Sequence, residues 1–357
     1  MTARPLGTVL VTGGAGFIGV ALARRLAHRA ERWVALDSLH PQVHASGARP
    51  DELVAAAELV VGDVTDPAVW TELLQTVRPD IVVHLAAETG TAQSLHEATR
   101  HATVNVVGTT VMLDAFAAIA HVPEQLVLSS SRAVYGEGRW QRSDGTISYP
   151  GLRTHAMLEA GIWDFPDAVP LPSSIDTTQP APSSIYAGTK LAQEHLLSAW
   201  AGSHGVELTV LRLQNVYGPG QSLINSYTGI VSLFSQLAMK GESIPIYEDG
   251  EIVRDFVYIE DVASAFEAAI DSRGGADWRG YDVGSGVPSS ILTLARVIAE
   301  YHGAPSPVVT GAYRDGDVRS ASCDIDRTLA ELDWRPEWSL EAGVGALQEW
   351  ISQQRSQ

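Results

Sequence analysis

The chain holds a single cysteine, Cys323, so no internal disulfide forms and a cysteine-rich zinc site is excluded. Lysine is almost as scarce and occurs only at positions 190 and 240. Lys and Arg together number 24 against 42 Asp and Glu, which leaves a net charge of −18. That balance excludes a nonspecific nucleic-acid binder and a polybasic membrane anchor. It leaves an anionic substrate open, because a few placed arginines suffice locally. No run of about 18 apolar residues is present, and the N-terminus lacks the basic-then-apolar pattern of a secretion signal. Histidines such as His40, His44, His84, His96 and His101 are scattered without paired carboxylates, so no metal is expected. Repeats and low-complexity tracts are missing too. The expectation is a soluble cytoplasmic protein with no nucleic-acid or membrane partner.

What is present is core-forming. Of 357 residues, 45% are apolar, enough for roughly two domains or one large one. Apolar strand candidates at 8–12, 32–36, 59–62, 81–85, 125–128 and 208–213 alternate with helical stretches, among them one over about 95–120. Fully apolar strands alternating with helices predict an α/β fold, a doubly wound parallel sheet covered on both faces. Residues 1–215 are expected to form this domain. Segment 139–183, rich in Pro, Ser, Gly and Trp, reads as an excursion or lid from it. Residues 216–357 have shorter elements and read as a smaller C-terminal α/β lobe on the substrate side.

Gly13-Gly14-Ala15-Gly16-Phe17-Ile18-Gly19 sits between the first strand and the first helix. Glycines there let the backbone approach a pyrophosphate, whose charge the helix N-terminus holds. Asp37 ends the next strand, eighteen residues after Gly19, where a carboxylate accepts from the adenosine ribose. The same carboxylate repels a 2′-phosphate, so the pattern favours NAD over NADP. Asp63-Val64 follows a strand and suits the adenine side. Leu85-Ala86-Ala87 ends the fourth strand with small residues that let a cofactor lie against the backbone. Asn105 either bridges the strand ends toward the cofactor or is a buried structural amide.

Tyr186 and Lys190 stand four apart in a helical stretch and therefore share a face. A nearby ammonium favours tyrosinate, which suits a base that takes a proton from a sugar hydroxyl. Ser129-Ser130-Ser131 ends the fifth strand beside the expected cofactor path. In a chain that otherwise uses arginine, a lysine at this place suggests that arginine would not serve.

These features and their order resemble the extended short-chain dehydrogenase/reductase family, specifically its nucleotide-sugar epimerases and dehydratases. The match continues through RLQNVYGPGQ (212–221), EDGEIVRDFVYIEDVA (248–263), YDVGSG (281–286), RDGDVRSASCDIDRT (314–328) and LDWRPEWSLEAGV (332–344). It covers nearly the whole chain except 139–183. The resemblance implies a Rossmann fold, bound NAD, and Ser131, Tyr186 and Lys190 as the catalytic set, with Tyr186 and Lys190 also on the cofactor. It places Gly13, Gly16, Phe17, Ile18, Gly19, Asp37, Asp63, Val64, Leu85, Ala86, Ala87, Asn105, Ser129, Gln214 and Val216 along the cofactor. Ser131, Asn215, Arg254, Arg314 and Asp317 fall to a nucleotide-diphosphate sugar, since guanidinium grips phosphate bidentately. It also implies a homodimer, formed by pairing helix 95–120 and the Tyr186 helix across a two-fold axis. One departure is Thr89, where the family often has lysine.

The reaction follows from what flanks Ser131. Sugar 4,6-dehydratases of the family carry an Asp-Glu pair where this chain has Arg132-Ala133, and neither residue is a carboxylate acid or base. Reductases use dissociable NADPH, against which Asp37 argues. The expected reaction is therefore 4-epimerisation through a keto intermediate. The stretches 37–44, 86–91, 130–138 and 214–223 are similar to the dTDP-L-rhamnose 4-epimerase-type subgroup. UDP-glucose or UDP-GlcNAc epimerisation, a reductase or dehydratase, and a catalytically idle binding protein stay open. Ala321 stands where UDP-sugar epimerases can gate the hexose site with tyrosine, and it leaves room for a larger or differently turned sugar.

Overall fold

The computed structural model describes residues 4–355 apart from 45, 223–228 and 273–277. Leu223, the last position of the 214–223 stretch, therefore lies outside the described residues.

Seven strands form the central sheet: β1 (Thr8–Thr12), β2 (Arg32–Asp37), β3 (Ala57–Val61), β4 (Ile81–His84), β5 (Gln125–Ser131), β6 (Glu207–Leu213) and β7 (Trp278–Val283). Their spatial order is 3-2-1-4-5-6-7, and every pairing is parallel. This is the doubly wound α/β fold expected from the alternation of apolar strands and helices.

Each strand feeds two cores because successive side chains point to opposite faces. Leu10, Val34, Val82 and Leu126 face α2 (Pro67–Thr76), α3 (Gly108–Ala118) and α4 (Ile185–His204) through Trp70, Phe116 and Leu197. Val9, Val11, Trp33, Ile81 and Val83 face α1 (Phe17–Leu26) and α5 (Ile259–Asp271) through Leu22, Leu26 and Phe266. The second core runs on without a break into Leu294, Ile298, Val344 and Leu347. The expected boundary at 215 is thus crossed by packing and by β7, which pairs with β6 in register from Trp278↔Leu208 to Val283↔Leu213. The cause is sheet completion: without β7, the apolar row of β6 would form an open edge.

Two further differences concern length and order. The helical stretch expected over 95–120 runs from Ala98 to Ala118 and contains a π-helical segment, Thr103–Val107, at its centre. Segment 139–183 is an ordered annexe: Trp140–Arg142 pairs antiparallel with Ile147–Ser148 and with Ala168–Pro170. Its Trp140 is fully buried against Phe165, ring centroids 4.9 Å apart.

A small sheet of Asn215–Tyr217, Val253–Tyr258, Pro288–Ser290 and Ser320–Ala321 caps the C-terminal edge. No helix among the described residues is long and apolar enough to cross a membrane.

Candidate active site

The strand order reverses between β1 and β4, and the helices that follow the two strands pack on opposite faces of the sheet. Gly13 leaves β1 at φ +67, and a Cβ on it would come within 2.8 Å of the Ala86 nitrogen at the end of β4. Gly19 is required for a different reason: a Cβ there would lie 2.6 Å from the Gly14 backbone, so α1 could not close on the loop. Helix α1 begins after Gly16 with no side chain capping its amides, which leaves those donors for an anion. Over this point opens a cleft of about 1060 Å3, lined by Gly13, Gly16, Phe17, Leu85, Ser131 and Tyr186 among others. A side compartment of about 190 Å3 carries Asp37, Asp63, Val64, Ala86 and Ala87.

Asp37 does two jobs. Its carboxylate accepts from the Ala15 amide at 3.0 Å and the Leu39 amide at 2.9 Å, tying the glycine loop to the end of β2. It also lines the side compartment, where a ribose phosphate would meet its charge. Gln214 lies on the main cleft wall with its amide buried and neither its nitrogen nor its oxygen bonded to any described residue. An uncapped helix start, a cradle that a Cβ would fill and an orphaned amide all fit a dinucleotide.

Helix α4 supplies the tyrosine and the lysine. Ser184 caps it, its hydroxyl accepting from the Ala187 amide at 3.1 Å, and Gly205 ends it in the left-handed region. Its buried stripe is polar in the first half (Thr189, Lys190, Gln193, Glu194) and apolar in the second (Leu197, Ala201). The first half therefore serves the site and the second the core. Tyr186 lines the cleft beside Ser131. Burial raises the phenol above its usual pKa, while the Ser131 hydroxyl and the Arg132 charge pull it back.

The cation expected to favour tyrosinate was Lys190. In the structure Lys190 is 2% exposed and donates to Gln193 Oε1 at 2.7 Å. Burial pulls its pKa down to about 7, with Glu194 opposing. Behind it His84 is held neutral, with a pKa of about 3 from burial and then from Lys190. Its ring bonds Thr12 Oγ1 at 2.7 Å and Thr109 Oγ1 at 2.9 Å. Lys190, Ser129 and Asn105 all lie beneath the cleft wall rather than on it. Both ends of the Asn105 amide are spent within the chain: Oδ1 accepts from the Glu88 amide at 2.7 Å, and Nδ2 donates to the Glu88 carbonyl at 3.0 Å and to Thr189 Oγ1 at 2.9 Å. The Asn105 amide, carried by the π-helical turn, ties the segment after β4 to α4.

Asn215, Val216, Arg254, Arg314 and Asp317 all line the far side of the cleft. The register Val253↔Ser320 and Arg254↔Ala321 brings segments more than sixty residues apart to one edge. Among the described residues, Arg254 donates only to the Val253 carbonyl, at 2.7 Å. Arg314 stands over the Tyr247 ring at 5.1 Å. Ala321 is 7% exposed and does not reach the cleft wall.

Sequence reasoning did not assign a role to Arg132 on the wall, to the His84–Gln193 support or to Arg153 and Arg319. Glu248 Oε2 takes Arg153 at 2.6 Å and Arg319 at 3.2 Å, contacts that no local spacing announces. For Arg132 a signal existed in its place directly after Ser131.

Residues 9–284 match the model of the NAD dependent epimerase/dehydratase family. The chain is 58% identical to a dTDP-L-rhamnose 4-epimerase of Burkholderia thailandensis, over 97% of this chain and 95% of that protein. A UDP-glucose 4-epimerase of Thermotoga maritima, solved with UDP-glucose, superposes with a TM-score of 0.80 at 28% identity, over 98% of this chain and 99% of that one. The UDP-glucose 4-epimerase of Thermus thermophilus, solved with NAD, gives 0.76 at 28% identity, over 97% and 99%.

Proposed function

This chain belongs to the NAD dependent epimerase/dehydratase family, and from that premise we propose that it inverts carbon 4 of dTDP-L-rhamnose through a 4-keto intermediate. NAD is its cofactor, and the reaction class is nucleotide-sugar 4-epimerisation. The observation that carries the reading is the wall beside Tyr186. Ser131 is present, and the next two residues are Arg132 and Ala133, with no carboxylate pair to remove water from the sugar. The 58% identity to the Burkholderia thailandensis enzyme supports the choice of sugar and nucleotide.

NAD, held along the Gly13–Gly19 loop and beside Asp37, would supply the hydride acceptor and donor for carbon 4. Tyr186 takes the proton from the 4-hydroxyl as that carbon is oxidised. Ser131 hydrogen-bonds the same oxygen and keeps it within reach of the phenol. Lys190, one turn along α4 from Tyr186 and bonded to Gln193, supports the phenol from beneath the cleft wall. The keto sugar turns about its diphosphate link, which Arg254 and Arg314 grip, and presents its other face. Tyr186 then gives the proton back, so no net redox change remains.

Conversion of dTDP-L-rhamnose, followed by proton NMR in heavy water, tests this. An epimer free of carbon-bound deuterium is expected, and deuterium at carbon 5 would mean dehydration chemistry instead. Tyr186→Phe should lower turnover by about 10²–10⁴-fold and leave nucleotide-sugar binding intact. Undiminished turnover in that variant removes the mechanism.

The same reading includes a cytoplasmic homodimer. Leu95 and Val107, 58% and 46% exposed along the 91–118 helical path, support a self-association face beside α4. A monomer mass by light scattering at micromolar concentration contradicts it.

A further inference from the structure

Arg132 opens a short 3-10 turn, Arg132–Tyr135, directly after Ser131. It lies half-buried on the cleft wall, with Ser131, Ala133 and Tyr186 to one side and Arg254 and Asp317 across from it. Its guanidinium makes no hydrogen bond and no ion pair to any described residue. The charges it senses, Arg254, Asp317, Glu137 and the Tyr186 hydroxyl, act from beyond contact. Other buried guanidiniums of this chain behave differently: Arg153 and Arg212 hold carboxylates at 2.6 and 2.7 Å. Sinking a cation without a partner is costly. Here burial and then Arg254 pull the group down to about 9, still charged at neutrality. Five N–H donors in a fixed fork therefore stand open to the cleft between the tyrosine and the arginine that faces the diphosphate.

We propose that Arg132 is a substrate-contacting residue, whose guanidinium donates to oxygens of the glycosyl unit of a nucleotide-diphosphate sugar. The proposal rests on the nucleotide-sugar reading above and adds a residue to it. Adjacent ring oxygens suit the planar fork, and neutral acceptors are enough, since the cation keeps its charge when it donates. A second cation so close to Arg254 also favours a sugar that carries no cation of its own.

Calorimetric titration of the NAD-loaded protein separates sugar from nucleotide. Wild type, Arg132→Gln and Arg132→Lys are each titrated with dTDP and with dTDP-L-rhamnose, and in a second arm with UDP and UDP-glucose. The glutamine variant should hold the bare nucleotide within about two-fold of wild type and the nucleotide sugar about 10- to 100-fold more weakly, the worth of one charge-assisted hydrogen bond. The lysine variant should fall between, because it keeps the charge and loses the fork; it also carries the test if the glutamine variant does not fold. Equal loss for nucleotide and nucleotide sugar assigns Arg132 to the diphosphate or to the fold and overturns the inference. Unchanged affinity for both overturns it as well. If wild type binds neither sugar more tightly than its nucleotide, the nucleotide-sugar reading fails and the inference with it. Unaltered sugar binding in Arg132→Gln alongside wild-type turnover removes the inference alone.

Discussion

Two sets of arginines stand on opposite terms in the same part of the molecule. Arg153 and Arg319 are closed. Arg153 bonds Glu248 Oε2 at 2.6 Å, the Trp163 carbonyl at 3.1 Å and the Asp317 carbonyl at 2.9 Å. Arg319 bonds Asp164 at 2.8 Å and Asp249 at 2.7 Å, and these partners raise its pKa against the cost of burial. Arg132, Arg254 and Arg314 are open: none has a carboxylate within ion-pair distance among the described residues. Burial accordingly lowers the pKa of Arg132 and Arg254, with only distant carboxylates in opposition. The closed pair fastens segment 139–183 to the C-terminal half, and the open set lines the cleft that this fastening shapes. Burial alone therefore does not separate the two sets; the presence of a carboxylate partner does.

The largest test of that contrast is Arg153→Met. It should cost about 3–5 kcal/mol of stability in urea unfolding, because the buried Glu248 loses its shortest partner. If stability is unchanged, the closed set is not structural. Arg254→Ala should do the reverse. Its melting temperature should stay near wild type, while the KM for nucleotide sugar rises by about 10- to 100-fold, equivalent to about 1.5–3 kcal/mol.

Lys190 sharpens the comparison, since it is a buried cation that donates to a neutral amide. Its folded pKa, about 7, lies below the unfolded value, so the protonated form disfavours folding. That cost is complete below pH 7 and fades as pH rises toward about 10, where the unfolded chain also loses the proton. Lys190→Met should therefore be more stable than wild type at pH 6, by an amount on the order of 1 kcal/mol once the lost Gln193 bond is set against it. The gap in melting temperature should close by pH 10, and a gap that widens with pH contradicts the assignment. The smallest effect belongs to Arg314→Ala. Its side chain is exposed, so its ion pair with the diphosphate is screened to about 0.5–1 kcal/mol, and nucleotide-sugar binding should weaken by about 2- to 5-fold.

Much of the site was legible before folding. The turn at Gly13 and the shared face of Tyr186 and Lys190 are short-range facts, set by backbone geometry over a few residues. Arg254 and Asp317 were legible only as pieces of separate motifs; strand register brought them to one edge. The π-helical turn at Asn105 was not legible, because it depends on the Glu88 backbone and Thr189 reaching the amide from either side. Nor was the annexe at 139–183, whose anchors, Ser173 on Ser322 and Ile175 on Asp282, span more than a hundred residues.

The sequence by itself determined the parallel α/β sheet, the glycine cradle at its reversal point and the identities of the serine, tyrosine and lysine. The first two follow from alternation and conformational freedom along a short stretch of chain, and the third from motifs that resemble those of a known family. Only the tertiary structure decided which charges are satisfied. It put Arg132 within electrostatic reach of Tyr186 and gave Arg153 and Arg319 their carboxylates. Spacing cannot supply that information, because an ion's partner is whatever lies across a few ångströms of space, and its charge is stabilised or penalised by that neighbour and by the water it has lost.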